Sequence, residues 1–143
     1  MVIIRNLTIG DYENLILLWE RSGLPFKPRG RDSREALKAE MENSPNLHLG
    51  AFQGEDLVGS LIASFDGRKG WINRLAVAPE YRERGIANLL VQSAEQALET
   101  KGARVIGALI LNTNVPSLKF FEKMGYQTDE DIVYVSKRDN TES

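Results

Sequence analysis

Apolar residues recur at helical spacing through Tyr12, Leu15, Ile16 and Trp19, which predicts a helix over about Ile9 to Arg21. Thr8 with Asp11 three residues later forms its capping pair. A short apolar strand, Val2 to Leu7, precedes it. Ser22 to Arg31, with its prolines, glycines and basic residues, reads as a loop. A second helix follows from Ser33 to Asn43, with a thinner stripe through Ala36, Leu37, Glu40 and Met41. Leu47 to Gln53 and Leu57 to Phe65 flank the turn Gly54-Glu55-Asp56 and read as a β-hairpin. Asp66 to Gly70 makes another turn into a third antiparallel strand. The longest helix runs from about Gly85 to Lys101, with Ile86, Leu89, Leu90, Ala94, Ala97 and Leu98 inward and Gly102 as its stop. Arg104 to Leu111 is a strand again, and a helical crossover makes it parallel to its predecessor. Val115 to Met124 gives a last helix ended by Gly125. The chain then returns as a strand from Tyr126 through Ile132 to Ser136. Residues 1–136 therefore read as one domain, and 137–143 as a polar tail.

One strand breaks the pattern. Ile72, Leu75 and Val77 are spaced by three and then two, whereas a regular strand repeats every two. One extra residue near Asn73 and Arg74, a β-bulge, restores a common face, bends the strand and frees backbone polar groups. The strand feeds a basic, glycine-containing turn that opens the long helix. Helix N-termini present unpaired amides and positive potential, so the turn is an anion cradle. Gly85 lets a bulky diphosphate approach the backbone, and Ala87 keeps the first turn open. Arg82 and Arg84 add charged donors. Bulge, turn and helix together describe a slot for a long cofactor ending in phosphates.

These residues resemble a known family. Arg82-Glu83-Arg84-Gly85-Ile86-Ala87 is similar to the acyl-CoA pyrophosphate loop of the GNAT N-acetyltransferase superfamily: Gln or Arg, two residues, Gly, one residue, then Gly or Ala. Leu75-Ala76-Val77-Ala78-Pro79-Glu80-Tyr81 stands ahead of it as in that family. Behind it, Asn114 to Phe121, Met124, Gly125 and Tyr126 resemble the family's C-terminal segment of Asn, amphipathic helix and Gly-aromatic pair. The resemblance spans essentially the whole chain. It implies an α/β fold: a mixed, mostly antiparallel sheet, flanked by helices, whose central parallel strands splay around acetyl-CoA. It further implies that backbone groups of Leu75, Ala76 and Val77 pair with the pantetheine arm and polarise the thioester carbonyl. Amides of Glu83, Arg84, Gly85, Ile86, Ala87 and Asn88 would hold the diphosphate. Asn114 would contact the cofactor, cap the last helix, or do both.

The acid and base positions depart from the family pattern. Where many members carry a tyrosine that protonates the leaving thiolate, this chain has Phe121, which packs beside Phe120 and Met124 and walls the thioester pocket. Where some members carry glutamate bases, it has Asn73 and Leu109. His48, Tyr126 and Tyr134 are the substitute catalytic candidates, against plain strand or core packing for each. Asp32, Glu35 and Glu20 could gather a cationic acceptor, against a reading as solvated helix charges. A thiol with a pKa of ~8.5 leaves tolerably without help, and an α-amine near ~8 is far less blocked at neutral pH than a lysine near ~10.4.

Composition narrows the rest. The chain has no cysteine and one histidine, which excludes a disulfide framework, a thiol nucleophile, thiolate metal sites and multi-histidine metal sites. A net charge of -2 gives no global attraction for nucleic acid, and no apolar run reaches membrane-spanning length, so a cytoplasmic protein is expected. The resulting expectation is an N-acetyltransferase moving acetyl from acetyl-CoA to a primary amine of a small molecule or peptide by direct attack, with no metal. Two copies could pair as a homodimer. The alternatives are an acyl-CoA-binding sensor and a protein N-terminal acetyltransferase, the latter decided by the loop from Ser22 to Arg31.

Overall fold

The computed structural model describes residues 1–140. Strand β1 (Val2–Asn6) leads through a 3-10 turn (Ile9–Asp11) into α1 (Tyr12–Ser22), and a loop precedes α2 (Arg34–Asn43). Strands β2 (His48–Gln53), β3 (Asp56–Phe65) and β4 (Gly70–Val77) follow. A second 3-10 turn (Pro79–Tyr81) leads to α3 (Ile86–Lys101), then β5 (Ile106–Ala108) and α4 (Val115–Lys123). The strands form one sheet in the order β1-β2-β3-β4-β5, antiparallel except for the parallel β4–β5 pair.

Helices cover both faces. On one, Leu61, Ala63 and Ile72 of the sheet meet Ile86, Leu90, Val91, Ala94 and Leu98 of α3, with Phe121 of α4. On the other, Leu15, Leu18 and Trp19 of α1 and Leu37 of α2 pack on Phe52, Leu57, Ile62 and Ala76. Among the α3 residues expected inward, Leu89 is instead exposed. Helix α3 lies close because β4 starts with a glycine: a Cβ on Gly70 would stand 2.7 Å from the Leu98 side chain.

Local chemistry accounts for the ends of the elements. The Asp11 carboxylate accepts the Thr8 amide at 2.8 Å, the Ser33 hydroxyl accepts the Ala36 amide at 3.1 Å, and Gly102 and Gly125 turn left-handed after α3 and α4. The first helix begins as a 3-10 turn before settling into α1.

Two expectations are corrected. The strand foreseen over Arg104 to Leu111 is only Ile106–Ala108, because its ladder partner bends away: β5 pairs with Gly70, Trp71 and Ile72, and the bulge begins at the next residue. No strand forms over Tyr126 to Ser136. A short β5 offers little edge to recruit one, and the Asp129 carboxylate accepts the Asp131 amide at 3.1 Å, turning the chain. The polar tail carries no regular element to Asn140, and residues 141–143 lie outside the described residues.

Candidate acetyl-CoA site

The bulge lies at Asn73. Across the β3–β4 ladder Ile62 faces Arg74 and Ala63 faces Ile72, so Asn73 is the unmatched residue. Its insertion returns Leu75 and Val77 to the α3 side together with Ile72, as the irregular apolar spacing requires. It also sets the direction of the backbone. The Gly70 amide points toward β5, donating to the Val105 carbonyl, and the Ala78 amide points toward β3, donating to the Val58 carbonyl. With one residue inserted between them, the polar groups of Leu75 and Val77 point away from β3, into the gap where β5 has stopped pairing.

That gap opens onto the start of α3. The connection uses two left-handed residues, Glu83 (φ 64°) and Gly85 (φ 80°). The conformation costs a non-glycine residue such as Glu83 about 1–2 kcal/mol, and such strain concentrates at ligand sites. The Gly85 carbonyl takes the first helical bond, from the Leu89 amide at 3.1 Å. The amides of Ile86, Ala87 and Asn88 therefore precede the helical ladder, and the cap residue, a glycine, has no side chain to accept them. A Cβ on Gly85 would meet nothing within 4 Å, so the space beside the turn is open.

The two arginines of the turn have separate duties. Arg82 donates from Nε to the Val77 carbonyl and from Nη2 to the Ser22 carbonyl, both at 3.2 Å, tying the turn to the end of α1. Glu80 pairs with Arg21 of α1, strengthening the same junction. Arg84 lies 5.1 Å over the Tyr81 ring at the surface and is the cation nearer the open amides along the chain. Across the gap, the Asn114 side chain caps α4, accepting the Ser117 amide at 3.3 Å. Phe121 is buried edge-on between Phe120 and Tyr126, with ring centroids 5.2 and 5.1 Å away.

The substitute acids and bases each stand in other surroundings. His48 stands in the same cross-strand row as Ile62 and Arg74, hence two strands from β4, about 10 Å. It is buried, neither ring nitrogen has a hydrogen-bond partner among the described residues, and its nearest acid is Glu40 at 3.9 Å. The Tyr126 hydroxyl donates to Glu95 of α3 at 2.7 Å, and burial, with that bond and the Glu95 charge, pushes its pKa well above the usual range. Tyr134 is exposed and outside any element. Asn73 donates from Nδ2 to the Ser64 hydroxyl at 2.9 Å, and Leu109 is exposed.

Sequence reasoning missed a polar cluster on the α1 side of the bulge. Asp32 is almost fully buried; its carboxylate accepts the Lys27 amide at 2.7 Å and Nη2 of Arg74 at 2.8 Å. Arg74 also donates to the Pro25 carbonyl at 2.6 Å and lies 4.7 Å over the Trp19 ring, whose Nε1 donates to Ser60. Burial lowers the Arg74 pKa while Asp32 opposes it, and a guanidinium stays charged in either case. Asp32 is thus the clasp that pins the loop before α2 to the strand at the bulge, rather than a collector of cationic acceptors. A basic residue inside a bulged strand, with an acid at the end of a Pro/Gly loop, was the signal available for it.

Among the described residues, no three or more His, Asp and Glu side chains gather as a metal site, and no helix is long and apolar enough to cross a membrane.

Comparison with known proteins agrees with this geometry. The model of the acetyltransferase (GNAT) family matches residues 13–126. An acetyltransferase of Sodalis glossinidius is 32% identical over 90% of this chain and 89% of its own length. One of Pectobacterium atrosepticum is 33% identical over the same shares. The PaiA N-acetyltransferase of Thermoplasma acidophilum, solved with coenzyme A, superposes with a TM-score of 0.75 at 25% identity, covering 91% of this chain and 92% of its own. AAC(6')-Iy, solved with a CoA bisubstrate analogue, has the same fold, with a TM-score of 0.78 at 20% identity and coverage of 96% and 99%. The chain belongs to the GNAT acetyltransferase family and is an acetyl-CoA-dependent N-acetyltransferase.

Proposed function

We propose that the chain transfers acetyl from acetyl-CoA to a primary amine by direct attack on the thioester, in the cytoplasm and without a metal. The observation that carries this reading is the bulge at Asn73, which turns the backbone of Leu75 and Val77 into a gap leading to the open amides of Ile86, Ala87 and Asn88. In this reading the diphosphate rests on the amides from Glu83 to Asn88, with Arg84 beside it and Arg82 holding the turn in shape. The pantetheine arm runs along Leu75, Ala76 and Val77, and Asn114 and Phe121 close the opposite wall. A backbone amide near Leu75 polarises the carbonyl, an effect worth about 3 kcal/mol for one preorganised donor.

Direct attack suits the surroundings of the bulge. Asn73, Phe121 and Leu109 supply no base or acid, and His48, Tyr126 and Tyr134 are remote, otherwise bonded or outside the fold's elements. A positioned acid or base is worth about a hundredfold to ten-thousandfold, so its absence slows the reaction without abolishing it. The acceptor is then an amine of low pKa, neutral before it binds, whose proton leaves to water after attack.

The test is binding and turnover by Gly85→Val. The substitution places branched carbons at a left-handed position next to the open amides, and losing one or two charge-assisted hydrogen bonds, at about 1.5–3 kcal/mol each, weakens CoA by tenfold or more. Calorimetry with CoA measures it, and unchanged affinity overturns the placement of the phosphates. Thiol release from acetyl-CoA can be followed with a thiol reagent without background, because the chain contains no cysteine. The pH profile should move with the pKa of the acceptor offered; a profile fixed by a group of the protein refutes unassisted attack.

A further inference from the structure

The loop between α1 and α2 is fastened along β4 at two points. At one end the Ser22 carbonyl accepts Nη2 of Arg82, whose Nε also donates to the Val77 carbonyl. At the other, the Pro25 carbonyl accepts Nη1 of Arg74, whose side chain turns to Trp19 on the α1 face one residue before Leu75. The loop therefore runs beside the stretch of β4 from Arg74 to Val77. Beyond Pro25 it closes on itself: the amides of Gly30 and Asp32 both donate to the Lys27 carbonyl at 3.0 Å, and the Asp32 carboxylate accepts the Lys27 amide. Its charge is one-sided. From Leu24 to Ser33 the chain carries Lys27, Arg29 and Arg31 against the single acid Asp32, in a protein of net charge -2. That acid is already engaged, with Nη2 of Arg74 at 2.8 Å and Nε of Arg31 at 3.8 Å. Two guanidiniums thus share one carboxylate, and an excess of positive charge is left beside the bulge. Arg31 is close enough to Arg74 for the two cations to repel, and 48% of its side-chain surface is exposed. Glu40, whose charge also reaches Arg74, is half exposed and stands by His48 at 3.9 Å, too screened to cancel that excess.

We propose that the amine acetylated by this chain carries an anionic group, a carboxylate or a phosphate, a few bonds from its nitrogen, and that Arg31 receives it. The inference rests on the proposed placement of acetyl-CoA, which sets the thioester against Leu75 to Val77. An acceptor has to reach that point, and the basic loop is fastened alongside it. Arg74 is buried and bonded to Asp32 and Pro25, so it acts as a fixed charge that draws an anion in and repels a second ammonium. Arg31 is the group able to make the contact, because it meets the Asp32 carboxylate only at 3.8 Å, beyond hydrogen-bond distance, and its planar guanidinium offers paired donors to a carboxylate or phosphate. The same charge eases unassisted attack. An anion close to an amine holds the ammonium proton in place, and pairing that anion with a guanidinium releases the hold. Positive potential in the cleft further disfavours the ammonium form, so the nitrogen meets the thioester neutral without a base from the protein.

Matched acceptors separate the anion from the amine. Glycine is compared with glycinamide, β-alanine with β-alaninamide and phosphoethanolamine with ethanolamine, thiol release being followed at saturating acetyl-CoA. The amides have the less basic nitrogen, so unassisted attack by itself favours them, and the reverse order reports the site. In at least one pair the anionic member is expected to have a kcat/KM higher by about tenfold or more, carried mainly by KM. The carboxylate and phosphate pairs tell which anion is held. Arg31→Gln should cut that preference about threefold and Arg31→Glu about tenfold, while CoA affinity stays within about twofold. Raising salt from about 20 to 200 mM should shrink the preference, because a half-exposed charge is screened. Calorimetry of the same acceptors on the CoA complex reads the pairing without chemistry: a chain that binds β-alanine over β-alaninamide yet releases no thiol fails as a transferase of these amines while the anion site holds. The proposal is overturned if the neutral member of every pair is used and bound as well as the anionic one, or if Arg31→Glu leaves the preference intact.

Discussion

Replacing Asp32 by alanine tests whether the acceptor side is held by the clasp. The carboxylate is buried with 4% of its side-chain surface exposed, and its partner Arg74 has 12%, so solvent screens the pair only slightly. Removing one member of such a pair strands the other charge and typically costs about 3–5 kcal/mol. The loss of the Lys27 amide bond acts in the same direction. For a domain of this length the change lowers Tm by on the order of 10 °C. Joining Arg74→Met to Asp32→Ala removes the stranded cation and leaves an unbranched apolar chain to lie on Trp19, so the double variant should recover part of the loss. Urea denaturation gives the cycle of stabilities, and CoA calorimetry with amine kinetics gives the functional half. With the cofactor placed along Leu75 to Asn88 as proposed, CoA affinity should hold within a few-fold while the KM for the amine rises. A single-variant cost below about 1 kcal/mol, or a double variant no more stable than Asp32→Ala, refutes the clasp.

Three further outcomes follow from the site. Tyr126 is held neutral by burial and by Glu95, so the stability it lends is full below the unfolded phenol pKa of about 10 and is lost as pH rises through its higher folded value; an ultraviolet titration should show Tyr126 ionising last of the four tyrosines, after Tyr12, which burial and Asp32 also raise, and Tyr126→Phe should remove that last step without a large change in kcat. His48→Leu removes two buried nitrogens that lack partners, so stability should hold or rise and turnover should change less than threefold; a hundredfold loss would make His48 a catalytic group after all. Asn114→Ala deletes the α4 cap and should cost about 1 kcal/mol in denaturation. A parallel fall in CoA affinity beyond tenfold would add a direct cofactor contact to that role.

What could be read along the chain and what could not divide by sequence separation. Helix α3, its stop at Gly102 and the turn through Gly85 are written in neighbouring residues, because helical periodicity and a left-handed glycine are local properties. The bulge was legible too, since Ile72, Leu75 and Val77 share a face only with one residue inserted. By the same local logic Ile132 to Val135 reads as a strand, yet a strand exists only where an edge receives it. The length of β5 depends on where β4 bends away, more than thirty residues earlier. The α1 face of the bulge is built from such distant contacts. Asp32 looks like a surface charge beside Ser33 and Arg34 and becomes a buried anchor only when Arg74, 42 residues on, arrives beneath it. Arg82, expected beside the phosphates, also donates to the Ser22 carbonyl 60 residues back, a contact no local pattern announces. The proposed donor slot is encoded within one stretch of chain, whereas the acceptor cleft of that proposal is assembled from the loop before α2, the bulged strand and the diverging β5, so the donor can be read far earlier than the acceptor.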